Sequence, residues 1–222
     1  MSLPELVYRE RPAVDDPAGL LVLHHGRGTD EYDLLGLADV LDPGRRLHVV
    51  TPRAPLTLQG WPGYHWYVVP RVGYPDASTF RAAYRKLAGL HDDLWRRTGI
   101  GAERTVLGGF SMGSVMSYAL GLAGERPAPA GILAFSGFVP TVDGWRPSLA
   151  DRVGLHAFIA HGRRDPVMDV EFARAARKLL VGGGIEVEYH ESDVAHEIDR
   201  TNLLPASRWL AATIGLGQPA DG

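Results

Sequence analysis

The chain has 222 residues, 45% hydrophobic and 22% charged, with a formal net charge of −3. That size and balance suit one globular domain and argue against a surface built for nucleic acid or anionic membranes. It contains no cysteine, so disulfides, thiol catalysis and cysteine-held metal are ruled out.

In chain order, residues 1–11 lack the charged start and apolar core of a signal peptide. No stretch reaches the roughly 18 consecutive apolar residues of a membrane span, so a cytoplasmic protein is expected. Strand-like runs are read at 6–9, 20–24, 47–51, 105–110, 131–136, 155–160 and 185–190. Helix-like runs fall at 32–41, 78–98, 114–123, 170–181 and 198–214. The helix at 78–98 is the clearest. Phe80, Ala83, Leu87, Leu90 and Leu94 recur at helical spacing and Gly99 stops it. Strands alternate with helices, which implies a mostly parallel sheet of about seven strands covered on both faces, with no large lid domain. One domain over 1–222 is expected, with a loose tail at 215–222.

The segment Gly109-Phe110-Ser111-Met112-Gly113 follows the apolar β-type run at 105–107 and precedes the helix-like run at 114–123. G-x-S-x-G in that setting forms a nucleophile elbow, as in the α/β-hydrolase fold. Its glycines leave room for close helix packing and for backbone angles that a Cβ blocks. Glycine supplies 27 of the 222 residues, so the pentapeptide alone is a weak signal and its partners must add weight.

A serine hydroxyl needs a base, and the base needs an acid to fix its tautomer. The expected chain order is Ser, then Asp or Glu, then His. Asp165 follows the strand at 155–160, and His196 follows the strand at 185–190. Both sit at the strand ends where open α/β sheets hold their ligands. Among competitors, Asp169 reads as lying too far into the next helix and Asp193 as a loop carboxylate. His161 and His190 suit structural hydrogen bonds.

Acyl transfer also needs rigid N–H donors for the developing oxyanion. The backbone N–H of Met112, at a helix start, is one candidate. The backbone N–H of Arg27, in His25-Gly26-Arg27-Gly28 after the strand at 20–24, is the other. His24 and His25 are adjacent strand residues expected to face opposite ways, so no metal site is expected there.

These elements, with Thr51-Pro52-Arg53-Ala54-Pro55, Gly60-Trp61-Pro62-Gly63-Tyr64-His65-Trp66-Tyr67 and Ala195-His196-Glu197, resemble the phospholipase/carboxylesterase family of α/β-hydrolases. That group includes bacterial carboxylesterases and acyl-protein thioesterases. The resemblance covers nearly the whole chain. It implies a serine esterase that uses no cofactor, acts on a small-molecule ester and forms a homodimer. One departure is Met112, where the family often carries Gln; the pocket beside the serine becomes more apolar.

The expected reaction is hydrolysis of short- to medium-chain esters through an acyl-enzyme on Ser111. Thioesterase or lysophospholipase action on the same three residues is the near alternative. A non-catalytic binding protein is the distant one, since such proteins usually lose a member of the triad. Candidate substrate contacts on loops at the same sheet edge are Trp61, Tyr64, Trp66, Phe138, Val139, Met168 and Val194.

Overall fold

A computed structural model of the chain describes residues 6–216. Its seven strands are β1 (Tyr8–Arg11), β2 (Gly19–His24), β3 (Leu47–Pro52), β4 (Thr105–Phe110), β5 (Gly131–Phe135), β6 (His156–Gly162) and β7 (Glu186–Ser192). They form one sheet in the order β1-β3-β2-β4-β5-β6-β7. β1 runs antiparallel to β3 and every other pairing is parallel. The helices are α1 (Leu35–Leu41), α2 (Ala77–Thr98), α3 (Met112–Gly121), α4 (Glu171–Gly182) and α5 (Leu203–Thr213).

Side-chain alternation along the strands explains why both faces need cover. In β2, Leu20 and Val22 join a core with Leu87 and Leu94 of α2 and Val115 and Met116 of α3. Leu21 and Leu23 point the other way, into a core with Leu41 of α1 and Trp209 and Leu210 of α5. All six residues of β2 are buried, as expected of a central parallel strand. On the α3 side, Ile132 and Ile159 meet Ala173 and Leu180 of α4.

Local chemistry sets the helix ends. The Asp76 side chain accepts the Thr79 N–H at 2.8 Å and caps α2. Gly99 ends the helix at φ 69°, a left-handed C-cap that glycine takes without strain. Elsewhere the bounds differ from expectation. The helix expected from 32 begins at Leu35, because Asp30 accepts the Tyr32 N–H and folds that stretch into turns. Similarly, Asp199 accepts the Thr201 N–H, so a single 3-10 turn precedes α5 and the helix expected from 198 begins at Leu203. The strand expected at 6–9 lies at Tyr8–Arg11, in register with Pro52 to Val49. Arg11 anchors its end through a buried ion pair with Asp42 at 2.7 Å. Of the expected loose tail, residues 217–222 lie outside the described residues; the Leu216 N–H donates to Ala211 O at 2.8 Å.

Strand order reverses at β2. From it the chain crosses to β3 on one side, and β4 pairs on the other. The crevice at the carboxyl ends of β2 and β4 is therefore the switch point where such sheets take their ligands.

Candidate active site

Ser111 sits between β4 and α3 at φ 55°, ψ −119°, a backbone region that side-chain-bearing residues rarely adopt. The two flanking glycines make that turn possible. A Cβ on Gly113 would lie 1.9 Å from His24 O, and one on Gly109 would lie 2.5 Å from the Gly113 carbonyl carbon. The Ser111 N–H donates to Phe135 O at 2.9 Å, fixing the turn to the end of β5.

The structure brings Ser111, His196 and Asp165 into one line. His196 Nε2 lies 2.8 Å from Ser111 Oγ, and His196 Nδ1 lies 2.6 Å from Asp165 Oδ2. The Asp165 side chain is inaccessible to solvent. Its Oδ1 accepts the N–H groups of Val167 and Met168, both at 2.8 Å. Its Oδ2 also faces His161 Nε2 at 3.3 Å. That nitrogen lies 2.8 Å from Met168 O, which can only accept, so His161 carries its proton on Nε2. Asp165 thus has the donors a buried carboxylate requires. Phe110 lies against the His196 ring at 4.9 Å between centroids.

The turns carrying the acid and the imidazole are joined directly. The Arg163 N–H donates to Ser192 O and the Arg164 N–H to Val194 O. A Cβ on Gly162 would lie 2.3 Å from Ala195 O, so the backbones touch there. The competing acids serve elsewhere. Asp193 pairs with Arg164 at 2.9 Å. Asp169 lies ahead of α4 rather than inside it and accepts the Glu171 N–H.

The loop after β2 is held from three sides. His25 Nε2 accepts the Ala54 N–H at 2.9 Å, which leaves the proton on Nδ1 to donate to Gly26 O at 2.6 Å. The Trp66 indole N–H donates to His25 O at 2.9 Å. The Gly28 N–H donates to Tyr64 O, and a Cβ on Gly63 would strike Gly28 O at 2.2 Å. Glu31, closed to solvent, takes Arg53 in a two-pronged pair at 2.5 and 2.6 Å, which holds its carboxyl below the usual range. Among the described residues, no protein acceptor meets the N–H of Arg27 or of Met112.

Behind the elbow, His24 Nδ1 contacts Ser117 Oγ at 2.8 Å and its ring stacks on His91 of α2 at 5.6 Å. Burial pushes His24 down to about 3, helped by nearby His25, and burial holds His91 well below the ordinary histidine value. The expectation that His24 and His25 face opposite ways fails: both rings pack against Trp66. His25 lies one residue past the end of β2, where strand alternation no longer applies.

A cavity of about 250 Å³ opens beside Ser111. Met112, Phe138 and Met168 form apolar walls, and Tyr67, Val69 and Val72 close it from the irregular segment between β3 and α2. Of the sequence candidates, Phe138 and Met168 line this cavity. Trp66 is fully buried and supports the loop after β2 instead. Tyr64 packs against Arg53, which donates to its hydroxyl at 3.1 Å. Trp61 is exposed and lies under the Arg27 guanidinium. Val139 packs toward the α4 core, and Val194 accepts a backbone bond from Arg164. Val69, Arg71, Val72 and Pro75 are not among the sequence candidates, and Tyr67 enters there only as the end of a loop motif. Their stretch has no helical or strand period, so nothing in it announced which side chains turn inward.

A parallel sheet with one antiparallel edge, carrying a strained serine after β4 and a carboxylate and imidazole after β6 and β7, defines an α/β-hydrolase. Residues 11–214 match the family described as Phospholipase/Carboxylesterase; the chain belongs to that family and is a hydrolase acting on esters. It is 25% identical over 223 residues to an acyl-protein thioesterase 1 of Yarrowia lipolytica, covering 91% of this chain and 97% of the relative. The crystal structure of esterase PE8 superposes with a TM-score of 0.81 at 30% identity, covering 94% of this chain and 99% of that one. A Bacillus cereus carboxylesterase shares the fold with a TM-score of 0.83 at 22% identity, covering 95% of each chain.

Proposed function

We propose that Ser111 is the nucleophile, His196 the general base and Asp165 the acid that orients it. The observation that carries this reading is the His196 ring set between Ser111 Oγ at 2.8 Å and Asp165 Oδ2 at 2.6 Å. Ser111 Oγ attacks the ester carbonyl as its proton passes to His196 Nε2. The N–H groups of Arg27 and Met112 hold the oxyanion. His196 then returns the proton to the leaving alcohol, whose departure forms the acyl-enzyme. Water, deprotonated by the same nitrogen, attacks the acyl carbonyl, and the proton goes back to Ser111 as the acid product leaves. No metal or cofactor enters this scheme.

The cavity of about 250 Å³, walled by Met112, Phe138 and Met168, suits short or medium acyl chains. A thioester is the second reading, supported by the name of the Yarrowia lipolytica relative. The test is a panel of para-nitrophenyl esters of graded chain length, matched oxo- and thioesters, and a fluorophosphonate probe, each with the parent and Ser111→Ala. Turnover is expected to peak at short or medium chains. The variant is expected to lose several orders of magnitude in turnover, and all labelling, without losing its fold. Near-parent hydrolysis by Ser111→Ala refutes the assignment.

A further inference from the structure

The charged side chains at the mouth of the Ser111 cavity, His196 aside, are two arginines, Arg27 and Arg71; no carboxylate lines it. This contrasts with a chain whose net charge is −3. Each guanidinium lies on an aromatic ring, Arg27 at 3.8 Å from the Trp61 centroid and Arg71 at 3.7 Å from that of Tyr74. Stacking of this kind positions a guanidinium without neutralising it and leaves its N–H edge open.

Among the described residues five other arginines stack on rings; Arg177, over Tyr189, also lacks an ion pair but does not line the cavity, and the other four differ. Arg9 and Arg53 share Glu31, Arg97 takes Glu10 and Arg126 takes Asp92. Among the described residues, neither Arg27 nor Arg71 is in an ion pair or donates a side-chain hydrogen bond. The acids closest in sequence to Arg27 are engaged or turned aside. Glu31 is held by Arg53, Asp33 accepts from Thr29 Oγ1, and Asp30 caps the turn at Tyr32.

Backbone geometry fixes where the two charges stand. Gly28, at φ 79°, ties the Arg27 loop to Tyr64. Arg71 opens a tight turn closed by the Tyr74 N–H on Arg71 O at 3.0 Å. Gly73 in that turn has φ 89°, and a Cβ there would meet the Phe172 ring at 2.9 Å.

We propose that the site selects esters bearing an anionic substituent, a carboxylate or similar group, which Arg27 and Arg71 receive at the cavity mouth while Met112, Phe138 and Met168 hold the apolar part. This rests on the ester-hydrolase reading above and names its substrate class. A planar guanidinium edge matches a carboxylate in two parallel hydrogen bonds. The pair is solvent-exposed, so its effect is modest and falls with salt.

The test compares kcat/KM for two matched pairs at low and high ionic strength. The para-nitrophenyl half-ester of glutaric acid against para-nitrophenyl valerate puts the anion on the acyl side. The pair para-acetoxybenzoate and its methyl ester puts it on the leaving side. At low salt, the anionic-to-neutral ratio in at least one pair is expected to stand about fivefold above its value at high salt. Arg71→Gln is expected to lower that ratio about threefold and Arg71→Lys to restore part of it. Movement in either pair supports the proposal and tells which side of the ester carries the anion. Ratios unmoved by salt and by Arg71→Gln in both pairs, with all four esters turned over, overturn it. Failure of the underlying reading looks different: no ester is hydrolysed and the fluorophosphonate probe does not label Ser111.

Discussion

Replacing Asp165 by asparagine tests the proton logic of the site more sharply than removing the serine. Oδ1 of Asp165 accepts two backbone N–H groups, from Val167 and Met168. An amide nitrogen cannot replace it there, so the substituted side chain must keep its carbonyl oxygen on those donors. Its NH2 then occupies the Oδ2 position, 2.6 Å from His196 Nδ1 and 3.3 Å from His161 Nε2. Facing a donor, His196 Nδ1 must become the acceptor, which shifts the ring proton to Nε2 and points it at Ser111 Oγ. The base is then occupied by the proton it should lack. In a triad of this geometry the wrong tautomer costs about ten-thousand-fold in kcat, or about 5 kcal/mol of barrier. The assay is steady-state hydrolysis of a para-nitrophenyl ester by parent and variant, with circular dichroism to check the fold. A variant within tenfold of the parent would show that Asp165 does not set the His196 tautomer.

Other consequences can be checked alongside. Gly113→Ala places a methyl 1.9 Å from His24 O, backbone against Cβ, and is expected to cost on the order of 4 kcal/mol or more, read as a large fall in Tm; a near-parent Tm contradicts the packing. Stability should also fall on acidification. His24 and His91 are buried without charge, so below about pH 6.5 the unfolded chain binds protons that the fold does not. Their contribution is complete above that value and is lost progressively as the pH falls toward about 3, where His24 titrates in the fold. Urea unfolding at about pH 5 is expected to take up about two protons through this pair. A flat stability profile between about pH 6.5 and 5 counts against a neutral buried pair.

The sequence was informative where the candidate site residues hold regular positions. Ser111, Asp165 and His196 each follow a strand, in the order the fold requires, and strand ends share one rim of the sheet. Reading apolar runs was enough to place them together. Trp66 shows the limit: a tryptophan in a loop near the site reads equally as a contact or a support, and only its hydrogen bond to His25 O makes it a support. Arg71 and Val72 were invisible for a related reason. Between β3 and α2 the chain has no period, so which side chains reach the cavity depends on local turns such as the one at Gly73. Helix starts were displaced at Leu35 and Leu203 because Asp30 and Asp199 bend the backbone ahead of them, a local competition that hydrophobic spacing does not register.

The direct fastening between the turns after β6 and β7 makes the carboxylate and imidazole one mechanical piece. Neither turn can lengthen alone without parting Gly162 from Ala195 and pulling the two groups out of reach. The irregular stretch between β3 and α2 is fastened at other points, to the loop after β2 at Gly63 and Tyr64 and to α2 through the Val68 N–H on Thr79 Oγ1, and it supplies much of the cavity wall. Side chains on that wall, such as Val69 and Val72, lie on a different segment from the joined turns, so the shape of the cavity and the spacing of carboxylate and imidazole are set by separate parts of the chain.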